Sequence, residues 1–208
     1  MKNITIKKVM VGRISTNCLL IINQETKETI IVDPGDLSDK IVEAIVKYEC
    51  KPVAILLTHG HFDHIMAVDD IRDKYSIPVY VYEAEEALLG DVVNNHSAKY
   101  GLTYVTKADK VVVDNEELDL AGMQIVVMHT PGHTSGCCCY YIPAEEVLIS
   151  GDTLFYETVG RTDLETSNSA DMRNSIDRLL KLPEAVAVYP GHGISTTIGH
   201  EKRNNPFA

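Results

Sequence analysis

A chain of 208 residues with 45% hydrophobic and 24% charged residues has apolar content for one substantial core, as an ordinary globular protein does. Its formal net charge of −11 excludes the basic surface that neutralises phosphates, so nucleic acid is not an expected partner. No stretch reaches the roughly 18 consecutive apolar residues of a membrane span. Met1 to Asn23 alternates Ile/Val with Lys/Thr instead of forming a signal-peptide core, so a single cytoplasmic domain over 1–208 is expected, with no membrane partner.

Alternating β-branched residues predict three strands at 3–12, 17–23 and 28–33, with Thr16-Asn17 and Asn23 to Thr26 as turns. The third runs into Asp33-Pro34-Gly35. Leu37, Ile41, Ala44, Ile45 and Tyr48 recur at helical spacing and predict a helix over 37–49. A strand at 53–57, a helix at 65–75, a strand opened by Pro78 at 78–82 and a helix at 83–89 follow, the last stopped by Gly90. The polar stretch 91–109 reads as an irregular, mobile flap. Strands at 111–113, 117–120, 123–129, 136–142 and 146–150 are antiparallel in style, with turns at Ala121-Gly122 and Pro143 to Glu145. A helix at 169–181, capped by Ser167 or Asn168 and stopped by Pro183, precedes a last strand at 185–189. Strands and helices mix in both halves, so two mixed sheets packed face to face with helices outside are expected, an α+β class.

Apolar strand 53–57 opens into Thr58-His59-Gly60-His61-Phe62-Asp63-His64, which sets three imidazoles and a carboxylate within six residues. Such groups form the ligand set of zinc and other borderline transition metals, and α/β sheets place their chemistry beyond the carboxyl ends of strands. Three more loops repeat the arrangement after apolar strands: Thr130-Pro131-Gly132-His133, Gly151-Asp152-Thr153 and Gly191-His192-Gly193. Together the four loops offer seven ligands, His59, His61, Asp63, His64, His133, Asp152 and His192. That is too many for one tetrahedral ion and suits two that share a bridge. His129, His96 and His200 are not expected to be ligands. Five cysteines stand at 18, 50, 137, 138 and 139 in no zinc-finger spacing. Cys137 to Cys139 read as strand residues that pack as small hydrophobes, with a redox sensor as the alternative.

In the order Asp33, His59-x-His61-x-Asp63-His64, His133, Asp152, His192 the chain resembles the metallo-β-lactamase superfamily over nearly its whole length. Within it the chain is most similar to compact bacterial members of the glyoxalase II (hydroxyacylglutathione hydrolase) group. Thr-Pro-Gly-His-Thr-Ser-Gly at 130–136, Gly-Asp-Thr-Leu-Phe at 151–155, Val-Gly-Arg-Thr-Asp at 159–163 and Gly-His-Glu-Lys-Arg-Asn-Asn-Pro-Phe at 199–207 carry that likeness. The resemblance implies an αββα sandwich with two divalent ions at one edge: zinc, with iron or manganese as alternatives. It implies that His59, His61 and His133 hold the first, Asp63, His64 and His192 the second, and that Asp152 bridges them. It also implies hydrolysis of a small-molecule thioester by a hydroxide shared between the ions, with Asp63 orienting the attacking oxygen. Penicillin-degrading members commonly place a cysteine in the second metal site; Asp152 followed by Thr153 here favours the thioesterase branch over the lactamase branch.

Asp33 reads either as a turn former before Pro-Gly or as a carboxylate supporting a metal-loop histidine; the resemblance favours support. Arg161, and more weakly Tyr156 and Arg203, are candidate contacts to the thiol carrier. No Gly-x-Ser-x-Gly nucleophile is present, and Ser150 reads as a strand end. Only 16 residues follow His192, so the helical carboxy-terminal domain of longer glyoxalase II enzymes is expected to be missing and the pocket open. Two alternatives remain: an iron-dependent persulfide dioxygenase using His59, His133 and Asp152 as a facial triad, and a non-catalytic metal-binding module. Nothing in the sequence speaks to oligomeric state.

Overall fold

The computed structural model describes residues 3–208. A meander of β1 (Ile4–Val11), β2 (Thr16–Asn23) and β3 (Glu28–Val32) opens a six-stranded sheet. Helix α1 (Ser38–Lys47) then crosses to β4 (Lys51–Leu56), and the short α2 (Phe62–Ile65) and α3 (Val68–Tyr75) cross to β5 (Val79–Tyr82). After α4 (Glu86–Leu89) the chain reaches β6 (Lys110–Val112). Strand order is sequential, β1 to β6, antiparallel up to β3 and parallel from there.

The second sheet holds β7 (Glu117–Leu120), β8 (Met123–His129), β9 (Cys138–Ile142) and β10 (Val147–Gly151) in an antiparallel run. A ribbon of β11 (Leu154–Phe155) and β12 (Thr158–Val159) leads to α5 (Ser169–Leu179). Strand β13 (Ala187–Pro190) returns parallel to β10, β14 (Thr196–Thr197) completes the edge, and α6 (Ile198–Asn204) closes the chain. Asn168 caps α5 as expected, its side chain accepting from the backbone N–H groups of Ala170 and Asp171.

Side-chain alternation builds the four layers. Along β2 every residue is buried: Leu19 and Ile21 face the opposite sheet, while Cys18, Leu20 and Ile22 face the helices. Between the sheets lie Ile30, Val32 and Leu56 on one side and Ile125, Val127, Tyr140 and Ile149 on the other. Ile41 and Ile45 of α1 with Val68 and Ile71 of α3 cover the first sheet. Met172, Ile176 and Leu179 of α5 with Ile198 of α6 cover the second. The result is the expected αββα sandwich. Among the described residues no helix is long and apolar enough to cross a membrane.

Several local expectations are corrected. Leu37 stands outside α1 in a left-handed conformation and is 51% exposed, so the helix is shorter than 37–49. The helix expected from 65 begins at Phe62 and breaks before Val68, which places Asp63 and His64 on helical backbone. Thr16 and Asn17 open β2 and form no turn. The 83–89 helix divides into a 3₁₀ turn at Glu83–Glu85 and α4. The polar 91–109 stretch is folded back on the body: Asn95 and Ser97 are buried, Asn95 Nδ2 donates to the Tyr104 carbonyl at 3.0 Å, and the Asn95 carbonyl accepts from Phe62 N at 2.8 Å. Segment polarity suggested exposure throughout, but Asn95 and Ser97 find their partners within the fold. The ribbon, β14 and α6 lay outside the predicted elements because each is too short or too polar for a periodic signal.

Candidate metal centre

The carboxyl ends of β3, β4, β8, β10 and β13 open on one edge of the sandwich, where backbone bonds tie the sheets together. Asn17 N donates to the Gly191 carbonyl at 2.7 Å, and Cys138 N to the Thr58 carbonyl at 2.9 Å. Asn17 Nδ2 also donates to the Pro190 carbonyl at 3.0 Å. The loops after these strands therefore converge.

All seven residues named from the sequence meet there. His59, His61 and His133 form one group whose ligand atoms lie within 4.8 Å of one another; so do Asp63, His64 and His192, and His59, His64 and Asp152. Asp152 reaches both sides: its Oδ1 is 3.6 Å from His64 Nε2, and its Oδ2 is 3.6 Å from His133 Nε2 and 3.5 Å from His192 Nε2. Asp63 Oδ2 lies 3.3 Å from both His64 Nε2 and His192 Nε2. Six of the seven are buried and His192 is half-buried.

Hydrogen bonds behind the rings choose their tautomers. Asp33 Oδ2 accepts from His64 Nδ1 at 2.9 Å and from the Thr58 hydroxyl at 2.7 Å, while its Oδ1 accepts from Thr58 N at 2.8 Å. With its proton committed to Asp33, the Thr58 oxygen accepts from His59 Nδ1 at 3.2 Å. His133 Nδ1 donates to the Arg161 carbonyl at 2.9 Å. In all three rings Nε2 is left with its lone pair toward the centre, the arrangement that ligation requires. Asp33 is thus a support of the site as well as the end of a strand.

Do these residues fit a metal? His59 Nε2, His61 Nε2 and Asp152 Oδ1 are buried with no hydrogen-bond partner, which is costly for neutral and charged groups alike. His61 Nδ1 and His133 Nε2 face each other at 3.0 Å, and His64 Nε2 and His192 Nε2 at 3.4 Å. Opposed lone pairs at such separations repel unless a proton or a cation lies between them. Gly191 packs so closely that an added Cβ would overlap Asp152 Oδ1 and His64 Cε1. The donor set of neutral imidazoles and carboxylates suits divalent ions. The residues fit.

Electrostatics divide the cluster. Burial holds His59 and His61 well below the ordinary imidazole value, and the neighbouring rings add to it. For His64 burial works downward, yet Asp63, Asp152 and Asp33 together push it well above that value. His192 is raised to about 9: burial opposes this, and bonds to Asp152 and Asp63 prevail. Burial would raise both carboxyls, but the histidines, His64 foremost, keep Asp63 well below its usual value and Asp152 below it.

Three contributors were missed by sequence reasoning. The Thr16 hydroxyl donates to Asp63 Oδ2 at 2.7 Å, and only tertiary pairing brings it there. Thr58 beside the motif could have been flagged by adjacency. Buried Glu85 accepts from Gly60 N at 2.8 Å and from the Thr134 hydroxyl at 2.9 Å, joining the two histidine loops, and burial raises its carboxyl to about 7. Arg161 borders the cleft above the cluster but pairs with Asp163 at 2.7 Å. Tyr156 stacks on His200, and Arg203 pairs with Glu184 at 3.0 Å; both stand outside the cleft lining. His129 stacks on Tyr82, away from the cluster. His96 borders the cleft beside His61 with both ring nitrogens buried and unpartnered. Cys137 to Cys139 are all buried and their thiols raised by burial, which favours packing over redox sensing. Ser150 Oγ donates to the Leu154 carbonyl, as a strand-end residue does.

The chain is similar to known proteins over nearly its whole length. The chain is 38% identical over 204 residues to the "probable metallo-hydrolase YqgX" of Bacillus subtilis, covering 97% of this chain and 96% of that one. To the "hydroxyacylglutathione hydrolase GloC" of Haemophilus influenzae it is 31% identical over 209 residues, covering 97% of each. The crystal structure of "BLEG-1 B3 metallo-beta-lactamase" superposes with a TM-score of 0.94 at 40% identity, over 98% of this chain and 99% of that one. The family model described as "metallo-beta-lactamase superfamily" matches residues 11–192, a span that begins at the end of β1 and ends on the last histidine of the cluster. With the fold, the converging loops and these relatives in agreement, the chain belongs to the metallo-β-lactamase superfamily.

Proposed function

We propose that this protein is a binuclear metallohydrolase of small acyl thioesters, of the hydroxyacylglutathione hydrolase kind. The observation that carries the reading is Asp152, whose two oxygens approach ligands of both three-residue groups. His59, His61 and His133 would hold one divalent ion, Asp63, His64 and His192 the other, and Asp152 would join them. Zinc is the proposed metal, with iron or manganese accepted by the same donors. When bound, such a pair lowers the pKa of water from about 15.7 to about 7 and polarises a carbonyl oxygen.

The chain's own residues supply the rest. Asp63 stays ionised beside His64, so its carboxylate can accept a hydrogen bond from the attacking water and hold its lone pair on the carbonyl carbon. Thr16 fixes that carboxylate from behind. Asp33, Thr58 and the Arg161 carbonyl keep three imidazoles in the ligating tautomer, so no ring must reorganise during turnover. Water adds to the carbonyl carbon, the C–S bond breaks, and the thiol and carboxylic acid leave.

The GloC relative and Thr153 after Asp152 support thioesters. A second reading, opening of a β-lactam ring by the same attack on an amide carbonyl, is favoured by the likeness to BLEG-1. A mononuclear iron dioxygenase would need only His59, His133 and Asp152 and leaves His61, Asp63, His64 and His192 without a purpose. Metal analysis of protein purified without chelators should give about two ions per chain. Thioester cleavage should fall by orders of magnitude in His59→Ala and Asp63→Ala. Full activity in either variant refutes the reading. Faster turnover of a chromogenic cephalosporin supports the second, and one iron per chain with persulfide-dependent oxygen uptake supports the third.

A further inference from the structure

Two recesses meet at Asp63. The one above the metal cluster has a volume of about 410 Å³, and its outer wall carries His96, Lys99 and Arg161. The other, about 270 Å³, has no histidine in its lining and is walled by Ile14, Phe62, Met66, Tyr100 and Leu102 together with Arg13 and Asp36. Ile14, Phe62, Asp63 and Tyr100 border both. The Phe62 and Tyr100 rings stand 4.5 Å apart, one from α2 and the other from the 91–109 stretch. Ile14 sits at the tip of the β1–β2 hairpin, 41% exposed, and Tyr100 is 49% exposed. These side chains leave uncovered apolar surface beside the Asp63 carboxylate.

We infer that the recess of Ile14, Phe62, Met66, Tyr100 and Leu102 binds the acyl chain of the substrate, so that among acyl groups binding strengthens with the number of methylenes it buries. The inference rests on the hydrolase reading and specifies its substrate class. A thioester carbonyl carbon at Asp63 carries two substituents that diverge. The thiol carrier is the polar one, and the first recess is bordered by Lys99 and Arg161, cations that pair with Glu165 and Asp163 and can turn to a polar carrier. The second recess offers dispersion contact and removal of methylenes from water, a gain that grows with each apolar carbon of the acyl group that enters it. Covering Ile14 and Tyr100 by an acyl chain also buries apolar surface left open on the hairpin tip and the facing loop.

Binding of the carboxylate products tests this independently of turnover. Calorimetric titration of the metal-loaded protein with acetate, butanoate and hexanoate should show affinity rising with length, up to about fourfold per fully buried methylene and at least about tenfold overall. In Leu102→Asp and Ile14→Ser, with metal content checked, the dependence on length should flatten. The same chain-length series as thioesters of one thiol should show kcat/KM rising in parallel. Equal affinity along the series, or a length dependence unchanged in both variants, overturns the inference. A rising affinity with no thioester cleaved would leave the recess assigned and overturn the hydrolase reading. Cleavage of every thioester with no length dependence would do the reverse.

Discussion

Histidine ligation depends on which nitrogen holds the proton, and here that choice is made by atoms that never face the cleft. Asp33 accepts from His64 Nδ1 and from both donors of Thr58, and Thr58 in turn accepts from His59. One carboxylate therefore orients two rings, directly and through a hydroxyl. Replacing Asp33 by Ala frees His64 to adopt the other tautomer and leaves Thr58 N buried without a partner. Loss of such a supporting group commonly costs about 10- to 100-fold in metal affinity. Chelator competition on Asp33→Ala should show a loss of that size while far-UV circular dichroism stays native. An unchanged affinity would assign Asp33 to the turn alone.

At the scale of elements, the site depends on loops from both sheets keeping their distances. The 3₁₀ turn at Glu83–Glu85 holds two of them through one buried carboxyl: Gly60 lies between His59 and His61, and Thr134 follows His133. Burial raises Glu85 from 4.5 to about 7, so the folded protein binds this proton more tightly than the unfolded chain does. The stabilisation is complete below about 4.5 and is lost as pH rises through about 7. In metal-loaded protein the Tm should fall between pH 5 and pH 8, and Glu85→Gln, which cannot ionise, should flatten that fall. Parallel curves for the two proteins would show that Glu85 does not contribute to the slope.

The whole molecule carries excess negative charge, and the centre gathers three carboxylates, Asp33, Asp63 and Asp152, around imidazoles. Without a cation the histidines take protons in its place, which is why His64 is raised well above its ordinary value and His192 to about 9. For both groups the folded value exceeds the unfolded one. For His192 that stabilisation is present below about 6.5 and disappears as pH rises through about 9, and the contribution of His64 weakens in the same direction. Chelator-treated protein should therefore melt at a lower temperature at pH 9.5 than at pH 6.5, and zinc addition should release protons and remove the difference. Equal melting temperatures in the stripped protein would contradict this charge balance.

Membership of the cluster was legible because it is chemical: His59 to His64 crowd four donors into one loop, and His133, Asp152 and His192 each follow an apolar run and a glycine-containing turn. The continuous apolar run of β2 and the helical spacing in α1 likewise foretold the layers, since burial of apolar faces is a property of local pattern. Tertiary structure decided what pattern cannot encode. Thr16 reaches Asp63 across 47 positions and Glu85 reaches Thr134 across 49, through single bonds with no periodicity to announce them. The 91–109 stretch read as a flap because its residues are polar, yet those polar groups find partners only when the chain folds back. The apolar recess joins a hairpin tip, a helix and that stretch, so its shape exists only once all three are packed.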